Sequence, residues 1–307
     1  MSKKMSNNSI AAIIVSFNPD GNIIDLISSL DGQVDSIILV DNGSENLELA
    51  DNLSVSKLIV ERLGSNEGIA HAQNVGIEIA RTNGYKYVVF FDQDSIVPKK
   101  MIFKLFCEYE KISNSGIKIA AVGPVFCDLR FNFVYPQILL NNKGVRTRII
   151  PDDNSEAFEV SFIISSGSLI SLQNLAEIGN MKAEYFIDYV DTEWCMRATS
   201  KGFKIFVIPT CKMEHAIGDD NIKFLNYKLP VHSAWRRYYR MRNMYHLFKL
   251  PYIPLRMKIR EFITNTIHQF LLIWKSPGKR MSYIRFWVKS QFDGVKILMN
   301  KSKTSKR

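Results

Sequence analysis

The chain contains no run of 18 or more apolar residues. The longest candidate, residues 262–274, is 13 residues long and includes Asn265, His268 and Gln269. A helix needs about 20 apolar residues to cross a bilayer, so no transmembrane span is expected. The opening stretch MSKKMSNNSI lacks the apolar centre of a signal peptide, which argues against secretion. Cysteine is scarce: Cys107, Cys127, Cys195 and Cys211 form no C-x-x-C pair. That excludes a disulfide scaffold or a zinc ribbon and fits a reducing cytoplasm with small buried thiols. Acidic residues nearly vanish near one end. Residues 223–307 hold 20 Lys and Arg against Glu261 and Asp293 alone, a balance of +18. No internal repeat and no low-complexity linker breaks the chain.

What is present is a 307-residue sequence that is 46% hydrophobic, enough for a sizeable core. Residues 1–222 carry 20 basic and 28 acidic residues, a balance of −8. The split predicts an ordinary acidic globular domain over 1–222 and a basic, amphipathic helical region over 223–307.

Apolar runs alternate with helical patterns. IAAIIVSF (10–17), SIILVDNGS (36–44), KLIVERL (57–63), YKYVVFFD (85–92) and IKIAAVGP (117–124) read as strands. Between them Ile23, Leu26, Ile27 and Leu30 fall at helical spacing. So do Ile69, Ala72, Gly76 and Ile79, in a helix that Asn66 would cap and that runs to Arg81. Pro98 opens another, with Ile102, Leu105, Tyr109 and Ile112 on one side. This β-α-β-α order predicts an α/β fold: an open, mostly parallel sheet with helices on both faces. Residues 125–157 read as irregular. AFEVSFIISSGSLIS (157–171) returns to strand character, interrupted at Ser165-Ser166-Gly167. Helices follow over LQNLAEIG and DTEWCMRATSKG, then a strand at FKIFVIP (203–209), and helices alone beyond 222.

In such sheets ligands sit beyond the carboxyl ends of the strands. Asn18, Asp41 and the Asp92/Asp94 pair all lie at such ends. Two carboxylates one residue apart suit a hard divalent cation, which takes one or two carboxylates plus substrate phosphates. They equally suit a turn. Gly68 and Ala72 open a helix with small residues that let a ligand approach. Asp188, Asp191 and Glu193 lead into a later helix, whose N-terminus favours acidic residues by its dipole alone. His215 follows a strand.

Taken together, IIVSFNPD, ILVDNGS, GSNEGIAHAQNVGI, FFDQDS, FIDYVDTEWCMRA and YYRMRNMYHL resemble the inverting family 2 glycosyltransferases of GT-A fold, nearest to the bacterial dTDP-rhamnosyltransferases. The resemblance covers roughly residues 8 to 250. It implies a nucleotide-sugar donor bound by Ser16, Asn18, Asp41, Asn66, Gly68, Asn74, Asp92 and Arg242. Asp94 and His215 would hold Mg²⁺ or Mn²⁺, and Asp191 would be the general base. Asp188 and Trp194 stand beside that base, as acceptor contacts or as structural residues. A solvated helix face explains Arg242 as well as donor diphosphate binding does. Two departures stand out: many relatives carry Glu where this chain has Val190, and Arg where it has Gln73.

The resemblance further implies transfer of L-rhamnose, or another dTDP- or UDP-linked sugar, to a saccharide acceptor on a polyprenyl diphosphate during cell-surface polysaccharide assembly. The basic region over 250–300, with Ile259, Phe262, Ile263, Ile267, Phe270 and Trp274 on one stripe, would attach the protein peripherally to the anionic cytoplasmic face of the inner membrane. It could instead pack internally or build a homo-oligomer. A basic nucleic-acid-binding protein is the contrasting reading. It leaves Asp41, Asp94 and Asp191 without a role, and the basic region has no helix-turn-helix or zinc-finger spacing.

Overall fold

The computed structural model describes residues 9–45, 57–128, 133–152, 155–214, 220–224 and 227–300. The chain divides into two compact units. The first runs to residue 215 without 141–145 and 187–189; those two short segments belong with 216–307 in the second.

The first unit is built on strand β1 (Ile10–Ser16). It pairs in parallel with β2 (Ser36–Asp41) on one side and β4 (Tyr87–Asp92) on the other, and β3 (Leu58–Arg62) lies beyond β2. Outward from β4 come β10 (Leu169–Ser171), β5 (Ile119–Asp128), β11 (Lys204–Glu214) and β9 (Phe158–Val160), with β6 (Phe133–Val134) paired to β5. The nine-stranded sheet is mostly parallel around β1. β10 and β9 run antiparallel to their neighbours.

Side-chain alternation along β1 explains the layers. Ile10, Ala12 and Ile14 share a core with Ile23, Leu26, Ile27 and Leu30 of helix α1 (Asn22–Leu30) and with Ile102, Leu105 and Tyr109 of α3 (Met101–Asn114). Ile13 points the other way, against Gly76 of α2 (Ile69–Thr82); a Cβ on Gly76 would lie 2.5 Å from Ile13 Cγ2. Successive residues of a strand face opposite sides, so one apolar run feeds both helix layers. This is the α/β arrangement expected.

Three readings are corrected. Residues 125–157 are not simply irregular. β5 continues to Asp128, β6 follows, and β7 (Gln137–Leu140) and β8 (Arg146–Ile149) form a separate hairpin. That hairpin is half-exposed and shows no in-out alternation, so it left no periodic signal. The stretch 157–171 is two strands, β9 and β10, at separate places in the sheet, divided at the Ser165-Ser166-Gly167 break. Helix α4 (Leu172–Ile178) follows β10, and α5 (Val190–Ser200) precedes β11.

The second unit does not begin as helix. β12 (Asp220–Phe224) and β13 (Tyr227–Val231) make a hairpin first. Then come α6 (Ala234–Phe248), α7 (Leu255–Lys275) and α8 (Arg280–Met299). Ser233 caps α6 by accepting from Arg236 N at 3.2 Å. Within this unit Gly294 lets α8 meet Tyr245 of α6; a Cβ there would fall 2.1 Å from the ring. Buried Arg237 is held by Gln269 Oε1 at 2.9 Å and by the Asn265 carbonyl at 2.9 Å.

Candidate active site

The strand order β3-β2-β1-β4 reverses at β1: β2 and β3 extend to one side, and β4 starts again on the other. Open α/β sheets bind ligands at that reversal, beyond the carboxyl ends of the strands. Register places Asp41 opposite Ser16 and Asp92 opposite Val15. Adjacent strands lie about 4.8 Å apart, so the backbones of Asp41 and Asp92 straddle β1 at about 10 Å.

Hydrogen bonds join the loops at this edge. Buried Asp41 accepts from the Ser16 hydroxyl at 3.4 Å, from Ser44 N at 3.1 Å and from the Ser44 hydroxyl. The Ser44 oxygen accepts from Asn18 N at 2.8 Å, and Asn18 Oδ1 accepts from Glu45 N at 3.0 Å. Asn18 itself has a positive φ of 46°, which Asn tolerates better than most residues. Phe17 N donates to Gln93 Oε1 at 2.7 Å, tying the end of β1 to the Asp92-Gln93-Asp94 turn. In that turn Asp92 is half-buried and Asp94 is exposed. Glu214, at the end of β11, bridges to Ile96 just beyond it.

The loop before α2 belongs to the same edge. Asn42 Nδ2 donates to Asn66 Oδ1 at 3.1 Å, and Asn66 Oδ1 also accepts from Gly68 N at 3.1 Å. Gly68 corrects the expectation of ligand approach: the place of its missing Cβ is filled by Phe186, whose ring and carbonyl lie 2.6–2.7 Å from it. Its φ of 86° and this packing together require glycine. Asn74 is likewise structural here. Its amide donates to the Met181 carbonyl at 2.8 Å and accepts from Met181 N at 2.9 Å.

Sequence reasoning missed the Ser165-Ser166 turn, which links the two carboxylate groups. The Ser165 hydroxyl donates to Asp191 Oδ1 at 2.8 Å and accepts from Gln73 Nε2 at 3.0 Å. The Ser166 hydroxyl meets that of Ser95 at 2.8 Å and accepts from Asp92 N at 3.4 Å. Gly167, with a φ of 75°, donates its N–H to the Phe90 carbonyl at 2.7 Å and so pins the turn to β4. The one available signal was the polar break in an otherwise apolar strand. Gln73 spends its amide N–H on this turn.

Asp191 is half-buried in the first turn of α5. Its neighbours are engaged in packing and pairing, the structural alternative left open for Asp188 and Trp194. Trp194 is 2% exposed and donates Nε1–H to the Gly179 carbonyl at 3.0 Å, so it offers no platform to an acceptor. Glu193 is fully buried and takes a two-pronged hydrogen bond from Arg197 at 2.9 and 3.0 Å. Asp188 belongs to the second unit and is paired there with Arg240 at 3.2 Å and Arg236 at 3.5 Å. Burial pushes its pKa up, but Arg240, Arg236 and His232 outweigh that and hold it below the usual carboxylate range. Phe186, Asp188 and Tyr189 all have φ of 62–65°, a strained run two residues before Asp191. Asn243 ties it down by donating to the Ile187 and Asp188 carbonyls at 2.8 and 3.0 Å.

Arg242 also lies in the second unit. Its guanidinium stacks on Tyr239 at 4.8 Å and donates to Asn243 Oδ1 at 2.7 Å, so the YRMRN segment is a bracing element for residues 187–189. His215 lies outside the described residues. Among those described, no cluster of three or more His, Cys, Asp or Glu forms a ready metal cage. The oxygen donors of Asp92 and Asp94 still fit a hard cation that completes its shell with phosphate oxygens.

Comparison with known proteins identifies the family and the fold. The family profile described as Glycosyl transferase family 2 matches residues 11–178. The chain belongs to that family of sugar-transferring enzymes. It is 39% identical over 292 residues to the dTDP-rhamnosyl transferase RfbF of Shigella flexneri, covering 94% of this chain and 96% of that one. Two solved structures share the fold. TarS 1–349 of S. aureus in complex with UDP-GlcNAc has a TM-score of 0.57 at 15% identity, covering 94% of this chain and 81% of that one. GalNAc-T7 with UDP, GalNAc and Mn²⁺ has a TM-score of 0.56 at 14% identity; the match covers 84% of this chain and 54% of that one. The first unit therefore has the GT-A-type α/β architecture expected.

Proposed function

We propose that the protein transfers L-rhamnose from dTDP-L-rhamnose to a saccharide hydroxyl by a single inverting displacement. The observation that carries this is the 39% identity along 94% of the chain to a dTDP-rhamnosyl transferase. The catalytic domain is assigned to residues 1–222 and the basic helical region to 223–307.

In this reading Asp41, with Ser16 and Asn18 around it, receives the pyrimidine and ribose of the donor. Asp92 and Asp94 face the diphosphate and would hold Mg²⁺ or Mn²⁺ together with it, with His215 as a further ligand. When bound, the cation supplies charge stabilisation to the departing nucleoside diphosphate. Asp191 takes the proton of the acceptor hydroxyl as that oxygen bonds to the anomeric carbon. A positioned base is typically worth about 10²–10⁴-fold. Ser165, donating to Asp191 Oδ1, aims the carboxylate. The hydroxyl oxygen gains the glycosidic bond, the anomeric carbon loses the diphosphate oxygen, and no protein nucleophile is needed. The acceptor is proposed to be a saccharide on a polyprenyl diphosphate at the cytoplasmic face of the inner membrane, reached through the basic region.

Calorimetry with dTDP-rhamnose, other dTDP-sugars and UDP-sugars, each with Mn²⁺ or Mg²⁺, tests the donor. Tightest binding of dTDP-rhamnose is expected, and preference for a UDP-sugar would overturn the assignment. Asp94→Ala is expected to abolish metal-dependent donor binding. Asp191→Ala should keep donor binding and lose turnover by at least about 10²-fold; wild-type turnover in that variant would remove it as the base.

A further inference from the structure

The outer side of α7 is apolar where a surface helix is normally polar. Leu255, Ile259, Ile263, Ile267, Phe270 and Trp274 are each 45–63% exposed. At 100° per residue they fall in one arc of about 120°. The buried residues Met257, Lys258, Asn265, Gln269 and Leu272 occupy the opposite side. The helix is thus inverted: polar groups face inward, where Arg237 engages Gln269 and Asn265, and large apolar groups face out. The stripe extends about 28 Å at 1.5 Å per residue.

Helix α8 repeats the pattern. Met281, Val288, Phe292 and Val295 are exposed on the side away from buried Tyr283, Ser290 and Gly294. Exposed Arg285, Lys289 and Lys296 form a row along one border of that ridge. Phe270 and Trp287 meet edge-on at 5.3 Å between the two helices. Among the described residues no helix is long and apolar enough to cross a membrane.

We propose that the outer faces of α7 and α8 lie in the surface of an anionic lipid bilayer, with the apolar stripes in the acyl boundary and the cationic row on the headgroups. This deepens the reading of a lipid-linked acceptor by naming the surface that would meet the lipid; its physical basis is exposure and charge. Exposed apolar stripes bordered by Lys and Arg are the signature of helices that lie in the interface plane. The alternative occupant, a second copy, would bring a second region with the same +18 balance against the first, and like charges oppose that pairing.

The full-length protein is sedimented with phosphatidylcholine vesicles, with and without phosphatidylglycerol. It is expected to bind the phosphatidylglycerol vesicles, less as salt rises. Ile263→Glu with Phe270→Glu should weaken binding at least tenfold. Arg285→Gln with Lys289→Gln and Lys296→Gln should erase the preference for anionic lipid. Two results overturn the proposal: no binding of the wild type, or unchanged binding of the Glu pair. Self-association that the Glu pair dissolves, with vesicles ignored, would assign the face to a second copy instead. Should the Glu pair not fold, brominated acyl chains report independently. Quenching of the wild type that is lost in Trp274→Phe supports insertion, and equal emission in both refutes it. Turnover on a water-soluble acceptor is expected to be unchanged in the Glu pair, so a failure of docking is separable from a failure of the transferase reading.

Discussion

Asp191 and Asp188 lie three residues apart, carry the same functional group and have different surroundings. Asp188 is sealed between Arg240 and Arg236, while Asp191 receives one hydroxyl proton from Ser165 and sits half-exposed. Removing one partner of a buried ion pair costs about 3–5 kcal/mol. Arg240 and Arg236 keep 32 and 39% of their side-chain surface exposed, so Asp188→Asn is expected to lower unfolding stability by less, about 1–3 kcal/mol in urea at neutral pH. The sign with pH follows from the lowered native pKa of Asp188. Its stabilising contribution is present above the unfolded pKa of about 3.9 and is lost as pH falls through the native value. The wild type should thus destabilise more steeply than Asp188→Asn in an acid titration. Ser165→Ala tests the other carboxylate. A hydrogen bond to a charged group is worth about 1.5–3 kcal/mol, so turnover should fall about 10- to 100-fold while donor KM stays near wild type. Recovery in Ser165→Thr would identify the hydroxyl as the cause.

Helix α2 depends on a missing methyl group. Gly76 sits against Ile13 of β1, and a Cβ would come within 2.5 Å of it. Gly76→Ala gains helix propensity of about 1 kcal/mol, yet overpacking costs about 1–3 kcal/mol. A net fall in Tm is expected, because Ile13 Cγ2 stands where the new methyl group would go. A raised Tm in Gly76→Ala would show that α2 stands farther from the sheet. In the sequence this helix was legible from Ile69, Ala72, Gly76 and Ile79, but its buried face is Ala70, Ala72, Gln73, Gly76, Ile77 and Ala80, with Ile69 and Ile79 half-buried. Its start was not: Asn66 accepts from Gly68 N without capping the helix, which begins three residues later. The β7–β8 hairpin was illegible for a different reason. It pairs with itself and buries little, so no apolar rhythm marks it.

At the scale of the whole molecule, none of the four cysteines is in a disulfide and only Cys107 is exposed. A thiol reagent should modify one cysteine in the native protein and four in urea. The pKa of Cys107 is pushed up, first by partial burial and then by Glu108 and Glu110, so its native reaction should accelerate as pH rises above neutrality. More than one fast native thiol would contradict the packing around Cys127, Cys195 and Cys211. The basic region is the other whole-molecule feature. Its charge was countable in the sequence, and its apolar stripes had helical spacing. Their direction was not readable, because period 3.6 shows that residues share a face without saying whether that face looks inward.

The sequence by itself determined the alternating α/β order, the strand-end positions of Asp41, Asp92 and Asp94, and the family. Those depend on local periodicity and on short segments whose residue types are constrained where they stand. Only the tertiary structure decided which partners each carboxylate has: two arginines for Asp188, the Ser165 hydroxyl for Asp191. A linear reading leaves Asp188 open between an acceptor contact and a structural residue, and only the fold shows its pairing with Arg240, 52 residues away. It also revealed Ser165, whose neighbours Gln73 and Asp191 lie 92 and 26 residues away along the chain. Packing over such separations is a property of the folded chain, so no local pattern announces it.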